Sequence, residues 1–261
     1  MEIEDYKVKK RKGGRAFFFL LTIICVGLCT VVSHFFASVI ATGSVGYSAG
    51  AGGTTSEYIL YAISLGAYST KAQAEDDAIS ARKQNAGGYV LKKDSSYHVI
   101  ASIYEKKNDA ESVLKNLTTT FEPQIIEITV EKVDLKKISS SSLEKSYLSI
   151  VSELKEVYLS LYDISVSVDT AVYSETKARI EADKIKTDLN SKFEKLSNGT
   201  AASDGVYYVI IKNKIQDITE EITSAVEFDA TDNYPFGAKI KNTYISVVDD
   251  IVDLVDLLNE E

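Results

Sequence analysis

The sequence is poor in the residues from which catalytic and metal sites are most often built. It has 2 cysteines, 2 prolines, 2 histidines and no tryptophan in 261 residues. Catalysis needs a nucleophile paired with a base, or a cluster of metal ligands. Beyond residue 42 the chain offers one histidine, His98, and no cysteine, phosphate-binding glycine loop or Glu-x-x-His motif. We therefore expect a protein that is not an enzyme and that carries no cofactor and no metal.

Disulfides are also excluded over most of the chain. Cys25 and Cys29 are the only cysteines, and both lie within one apolar segment, so no disulfide framework can hold the remaining residues together. Their spacing of four places both on one face of a helix. They are either small residues on the surface of a membrane helix or an acylated or reactive pair.

Positive charge is scarce outside the first 15 residues. Residues 1–15 contain six lysines and arginines and three acidic residues, a net charge of +3. The whole chain has a net charge of -9, so the remaining residues carry -12 (-9 minus +3). Binding to nucleic acid needs a clustered basic face, and this acidic body therefore argues against a nucleic-acid partner.

One apolar run is long enough to cross a membrane. It begins at Ala16 and ends at Ile40 without a lysine, arginine, aspartate or glutamate, and it exceeds the roughly 20 residues that span a bilayer. The basic flank before it predicts a cytoplasmic tail over residues 1–15, a transmembrane helix over residues 16–41 in contact with lipid, and an extracytoplasmic body. A cleaved signal peptide is the alternative, although its apolar region would be shorter, about 7–15 residues.

A glycine- and serine-rich stretch follows the apolar run. Residues 42–56 include the sequence GSVGYSAGAGGTTS, a composition that is typical of a flexible linker. The expected r.m.s. span of such a linker is about 20 Å. We therefore expect the folded body to lie close to the membrane.

Residues 57–135 alternate between strand and helix patterns. β-forming residues predict four strands, and alanine-containing stretches after Thr70 and Asn108 predict two helices. The order is βαββαβ, which predicts an α+β fold with a ferredoxin-like antiparallel sheet. Two helices would cover one face of that sheet, and the other face would be open to solvent.

Two of these strands resemble the quasi-repeat of SPOR (sporulation-related repeat) domains. The first is YAISLGAY at residues 61–68, followed by Ala72 and Ala74, and the second is YHVIASIY at residues 97–104, followed by Asp-Ala-Glu. The resemblance covers residues 57–133 and implies binding to peptidoglycan glycan strands in cell division or sporulation. The family usually has glutamine where this chain has Ser64.

Alternation along the predicted strands identifies candidate ligand contacts. If Ile63, Leu65, Val99 and Ala101 face the helices, the open face carries Ser64, His98, Ile100 and Ser102. This mixture of hydroxyls, an imidazole and apolar area suits a sugar, so these four residues are the candidate glycan-binding site. Alternatively, they are only solvated sheet residues. The stacking aromatics of an RNA-recognition module are absent from this predicted face.

Residues 139–261 show helical periodicity throughout. Apolar residues recur at steps of three and four, and each predicted helix has one apolar stripe that must be buried against another helix. The stripe of the last helix is Ile240, Tyr244, Val247, Ile251, Leu254 and Leu258, and the stripe of the second predicted helix includes Ile180. An antiparallel helical bundle is therefore expected. Residues 138–197 form either one long helix or two, since no glycine or proline divides them.

These features suit two functions. The first is a membrane-anchored, extracytoplasmic protein that binds peptidoglycan and uses its helical bundle for partner binding or self-association. The second is a structural or scaffolding protein whose SPOR-like domain makes protein contacts and no longer binds glycan. In both cases, the change of periodicity near residues 134–142 predicts that residues 54–135 and 139–261 each fold alone.

Overall fold

The computed structural model describes residues 56–135, 141–199, 205–229 and 234–261. The predicted cytoplasmic tail, the predicted membrane helix and almost all of the predicted linker lie outside these ranges. So does the predicted boundary between residues 57–135 and 139–261.

The N-terminal half of the described chain forms one antiparallel sheet with two helices. Its strands lie in the order β2-β3-β1-β4, and each strand is antiparallel to its neighbours. Along the chain the elements are β1 (Tyr58–Tyr68), α1 (Lys71–Lys83), β2 (Tyr89–Lys93), β3 (Ser96–Tyr104), α2 (Lys107–Asn116) and β4 (Gln124–Val130).

Local sequence determines where α1 begins and ends. The Thr70 side chain accepts a hydrogen bond from the backbone N–H of Gln73 and so caps the first turn. At the other end Asn85 adopts a φ of 64°, and its N–H donates to the carbonyl of Arg82. The next N–H, that of Ala86, donates to Ala81. These two bonds form a Schellman motif, in which asparagine is one of the few residues that tolerate the left-handed conformation.

One face of the sheet packs on α1 and α2, as the alternation of the strands predicts. Its core is made of aliphatic side chains that are all buried: Ile63, Leu65, Val99 and Ala101 from the strands, and Ala74, Ala78, Ala81 and Ala110 from the helices. The alanines of α1 allow this helix to approach the sheet closely.

Four further helices form a closed bundle. They are α3 (Ser141–Asp169), α4 (Glu175–Gly199), α5 (Val206–Val226) and α6 (Phe236–Glu260). Each helix packs on the next, and α6 returns to pack on α3. Residues 138–197 therefore contain two helices, and the chain turns between them at Ala171, which has a φ of 56°.

The second face of the sheet packs on the bundle. Helix α6 contacts β2, β3 and β4 in addition to α3 and α5, and it is buried on almost every side. Leu60, Ile100 and Ile128 of the sheet belong to the same core as Tyr244 and Ile251 of α6. The sheet and the bundle therefore share one hydrophobic core.

The predicted fold class is wrong, and the error concerns the exposure of the sheet. Within the described ranges, none of the helices has the length and apolar character needed to cross a membrane, and the predicted membrane helix at residues 16–41 falls outside them. The ferredoxin-like domain was expected to leave one sheet face open, but α6 covers that face. The observed fold is α+β, with a four-stranded antiparallel sheet and six helices among the described residues.

Candidate functional site

Two of the four predicted site residues contact each other. Nδ1 of His98 lies 3.1 Å from Oγ of Ser64, and the Ser64 hydroxyl also donates to the carbonyl of Gly66 at 3.0 Å. A serine hydroxyl has a single hydrogen, so both contacts are satisfied when Nδ1 of His98 carries a proton and donates it. The imidazole, the hydroxyl and the carbonyl then form a chain of hydrogen bonds at an irregular position in β1.

Both residues are buried. Ser64 is 0% exposed and His98 is 9% exposed. Burial lowers the pKa of His98, and the nearby Lys93 ammonium lowers it further. Burial therefore favours the neutral imidazole, since a charged group loses hydration in such a position. A nucleophilic serine must present its oxygen to a substrate, and the Ser64 oxygen is enclosed.

Ile100 lies at the centre of the same face. It pairs with Ser64 on β1 and with Tyr89 on β2, and it is 0% exposed. It belongs to the core that includes α6. A sugar could reach Ile100 only if α6 left the sheet.

Ser102 lies on the opposite face from the other three residues. The pairing of β1 with β3 shifts register between Ile63 and Ser64, so that Ser102 is opposite Ile63 while Ile100 is opposite Ser64. Directly opposed residues in antiparallel strands point to the same side, and Ile63 packs against α1 and α2. The Ser102 hydroxyl donates to the hydroxyl of Tyr104 at 2.8 Å.

The prediction that this sheet face is open to solvent is therefore wrong. Ser64, His98 and Ile100 share one face, but that face is a buried interface within the protein. The bulge places Ser102 on the other face. Sequence alternation counts residues strictly by two, and it cannot register a bulge that changes this count by one.

Polar side chains of α6 bond to the sheet at several points, which the sequence interpretation missed. The Tyr89 hydroxyl donates to Asp249 at 2.7 Å, and the Asn242 amide donates to the carbonyl of Gly87 at 3.0 Å. Burial raises the pKa of Asp249, although the hydrogen bond from Tyr89 opposes this shift. Burial also raises the pKa of Tyr89, which keeps the phenol protonated as the donor. These contacts determine the position of α6 on the sheet.

A cluster of tyrosines lies where β3, α3 and α6 meet. The ring of Tyr162 contacts the rings of Tyr104 and Tyr244 edge to face, with centroid distances of 6.1 and 5.7 Å. The ring centroids of Tyr158 and Tyr244 are 6.2 Å apart, and the Tyr244 hydroxyl accepts a hydrogen bond from the backbone N–H of Ile103 at 3.4 Å. These rings anchor the bundle to the end of the sheet, since aromatic pairs contribute beyond their buried area.

The surface of the described residues has open grooves. One groove, of about 620 Å³, lies between α3 and α4 and is lined by Lys145, Ser146, Ser149, Ile150, Glu153, Lys192 and Lys195. Within it Lys192 forms an ion pair with Glu153. Among the described residues, His, Cys, Asp and Glu side chains form no group of three that could hold a metal ion.

Comparison with protein-family models, with curated proteins and with solved structures finds no match for this chain. The resemblance to SPOR domains therefore stays a prediction from residues 57–133.

Proposed function

We propose that this chain is a non-catalytic structural protein whose sheet makes protein contacts instead of glycan contacts. The observation that carries the proposal is the position of α6, which occupies the sheet face predicted to bind glycan. The protein contact on this sheet face is made by a helix of the same chain.

The interface between the sheet and α6 has the character of a permanent core. Seven apolar residues of the sheet share that core with the bundle: Leu60, Ala62, Leu91, Ile100, Ile103, Ile128 and Val130. Burial of one such side chain is worth about 1.5–3 kcal/mol, so removal of α6 from the sheet would cost far more than a sugar hydrogen bond of about 0.5–1.5 kcal/mol returns. Exchange of α6 for a glycan is therefore unfavourable.

A body of this kind can serve as a scaffold. The apolar run at residues 16–40 and its basic flank support a location at the membrane, which fractionation of cells would test. The helices and the sheet share one core, and their outer surfaces are available to other proteins or to further copies of the chain.

Cosedimentation with purified peptidoglycan sacculi tests the proposal. We expect the full-length chain in mild detergent to stay in the supernatant with intact sacculi and with sacculi stripped of stem peptides. The double variant Ser64→Ala with His98→Ala should behave identically. Sedimentation of the wild-type chain would overturn the proposal. Loss of that sedimentation in the double variant would then assign glycan binding to the covered face.

A further inference from the structure

The two edge strands of the sheet differ in how they are protected. An edge strand presents unpaired N–H and C=O groups to which another strand can pair, and proteins usually block such an edge with lysines, prolines, bulges or a short strand. Strand β2 is five residues long and contains Lys92 and Lys93. Side chains from two helices also bond the backbone just before it, since Arg82 donates to Gly88 and Asn242 donates to Gly87.

Strand β4 has none of these protections, and Glu127 is its single charged residue. It is seven residues long, with the sequence QIIEITV, and contains no lysine, proline or glycine. Its pairing with β1 runs from Tyr58–Val130 to Ser64–Gln124 without a register shift, so the strand is regular along its whole length. No strand of residues 56–135, 141–199, 205–229 or 234–261 pairs with its outer edge.

We propose that β4 pairs antiparallel with β4 of a second copy of this chain, so that two sheets join into one of eight strands. The proposal deepens the scaffold function and rests on it. Identical strands are self-complementary about a two-fold axis, as in most homodimers. The second copy of β4 would form hydrogen bonds with the unpaired backbone N–H and C=O groups along the outer edge of β4.

Charge disfavours the central register of the pair. Glu127 is the only charged residue of β4, and its side chain is 54% exposed. The Nζ atom of Lys107 lies 4.0 Å from the Oε1 atom of Glu127. A two-fold axis at Glu127 would oppose two carboxylates, which destabilises a sheet. An axis at Ile128 instead places Glu127 opposite Thr129 of the second copy. Both residues are exposed on the α1 and α2 side of the sheet.

Two substitutions at one position separate this register from a general effect on the strand. Thr129→Glu places a second carboxylate opposite Glu127 of the other copy, whereas Thr129→Lys places an ammonium there. Glutamate and lysine are both poor strand formers, so a change in strand propensity alone would affect the two variants similarly. A cross-strand charge pair is worth about 0.2–1 kcal/mol and occurs twice in the dimer, so Thr129→Glu should raise the dimer Kd by about 2- to 30-fold.

The measurement is sedimentation equilibrium of the full-length chain in density-matched detergent. We expect a wild-type dimer, a weaker dimer for Thr129→Glu, and an equal or stronger dimer for Thr129→Lys. The charge swap Glu127→Lys with Thr129→Glu should restore association. A monomeric wild-type chain would overturn the proposal, as would an equal loss in both single variants.

Disulfide trapping provides a second, independent readout of the register. In a background of Cys25→Ser and Cys29→Ser, chains with Glu127→Cys are mixed with chains with Thr129→Cys and oxidised with copper phenanthroline in air. A disulfide needs Cα atoms about 4.4–6.8 Å apart, so the mixture should cross-link more than either variant alone. Strong self-linking of Glu127→Cys alone would contradict the axis at Ile128. Failure of self-association leaves the sacculus result unchanged, so the two proposals fail separately.

Discussion

At the scale of single residues, Thr243 shows what complete enclosure does to a polar group. Its side chain is fully buried in α6, and its hydroxyl has no hydrogen-bond partner among the described residues. A buried hydroxyl without a partner loses its hydration and gains nothing in return, which costs about 1–3 kcal/mol. Valine has nearly the same shape as threonine and lacks the hydroxyl.

We therefore expect Thr243→Val to raise the free energy of unfolding by about 1 kcal/mol, measured by urea denaturation. The matched control is Thr223→Val in α5, because the Thr223 hydroxyl donates to the carbonyl of Thr219 at 2.8 Å. The control should be neutral or destabilising. A lower stability of Thr243→Val than of the control would show that the hydroxyl has a partner.

His98 predicts a pH dependence of stability. Burial lowers its pKa in the folded state below the ordinary value of 6.5, so the unfolded chain binds the proton more tightly. The stabilisation from neutral His98 is therefore present above about pH 6.5 and is lost as the pH falls further, with a slope of at most about 1.4 kcal/mol per pH unit.

The measurement is urea denaturation between pH 5 and pH 8 of the wild type and of His98→Asn, whose amide can still donate to Ser64. The wild type should lose stability relative to the variant as the pH falls, and the difference should be constant above pH 7. The other histidine, His34, is present in both chains and cancels. Parallel pH profiles would show that His98 does not couple protonation to folding.

Residue-scale prediction from the sequence was accurate for four strand residues. Ile63, Leu65, Val99 and Ala101 were assigned to the helix-covered face, and all four are buried there. Ser102 was assigned to the wrong face because the bulge in the pairing of β1 with β3 changes the count by one. Nothing in the sequence of β3 marks that bulge, since it contains no glycine or proline.

At the scale of whole elements, Arg179 of α4 fixes the end of α5. One of its terminal nitrogens, Nη1, donates to the carbonyls of Ala225 and Val226, and the other, Nη2, donates to Phe228. The guanidinium also lies over the ring of Phe236 at 4.6 Å. The last carbonyls of a helix carry partial negative charge and have no partner within the helix. Arg179 therefore caps α5 and joins it to the start of α6.

Arg179→Lys should lower the free energy of unfolding by about 1.5–3 kcal/mol, because an ammonium is a point donor that cannot span these carbonyls as the planar guanidinium does. Thermal or urea denaturation would measure the loss. The matched control is Lys177→Ala on the same helix, which removes an exposed ion pair with Glu181 and should cost less than about 0.5 kcal/mol. Equal losses for the two variants would contradict the capping role.

Prediction of the helices succeeded better than prediction of what they contact. The apolar stripe of α6 was recognised at Ile240, Tyr244, Val247, Ile251, Leu254 and Leu258, and all six are buried. The sequence also has Ile245, Val248 and Val255 outside this stripe, and all three are buried. These apolar residues were a sequence signal for an interior helix that the prediction did not use, because a helix that is apolar on several sides packs in the interior. In α4 the predicted stripe included Ile180, which is 49% exposed, while Ala178 and Ala182 face the core.

At the scale of the whole molecule, the shared core decides whether the parts can exist separately. The periodicity of the sequence predicted that residues 54–135 would fold alone. In the structure the sheet uses its second face to pack on α6. Periodicity shows that a helix has an apolar side, but it contains no information about which distant surface covers that side.

We therefore expect residues 54–135 alone to expose apolar surface, to bind the dye ANS and to aggregate, since large uncovered apolar patches promote association. Residues 54–261 should be soluble and should unfold in one cooperative transition by circular dichroism and fluorescence. This longer fragment is the control for the truncation at residue 54. Cooperative unfolding of a monomeric 54–135 fragment would contradict the expectation.

The contact between Ile103 and Tyr244 joins positions 141 residues apart in the chain. A ribosome that adds about 5–20 residues per second needs roughly 7–28 s between them. During that interval β1 and β3 have been synthesised while the helix that covers them has not. The apolar side chains on the second face of the sheet are therefore exposed until α6 has been synthesised. Exposed apolar surface of this kind makes unfinished chains prone to aggregate or to bind chaperones.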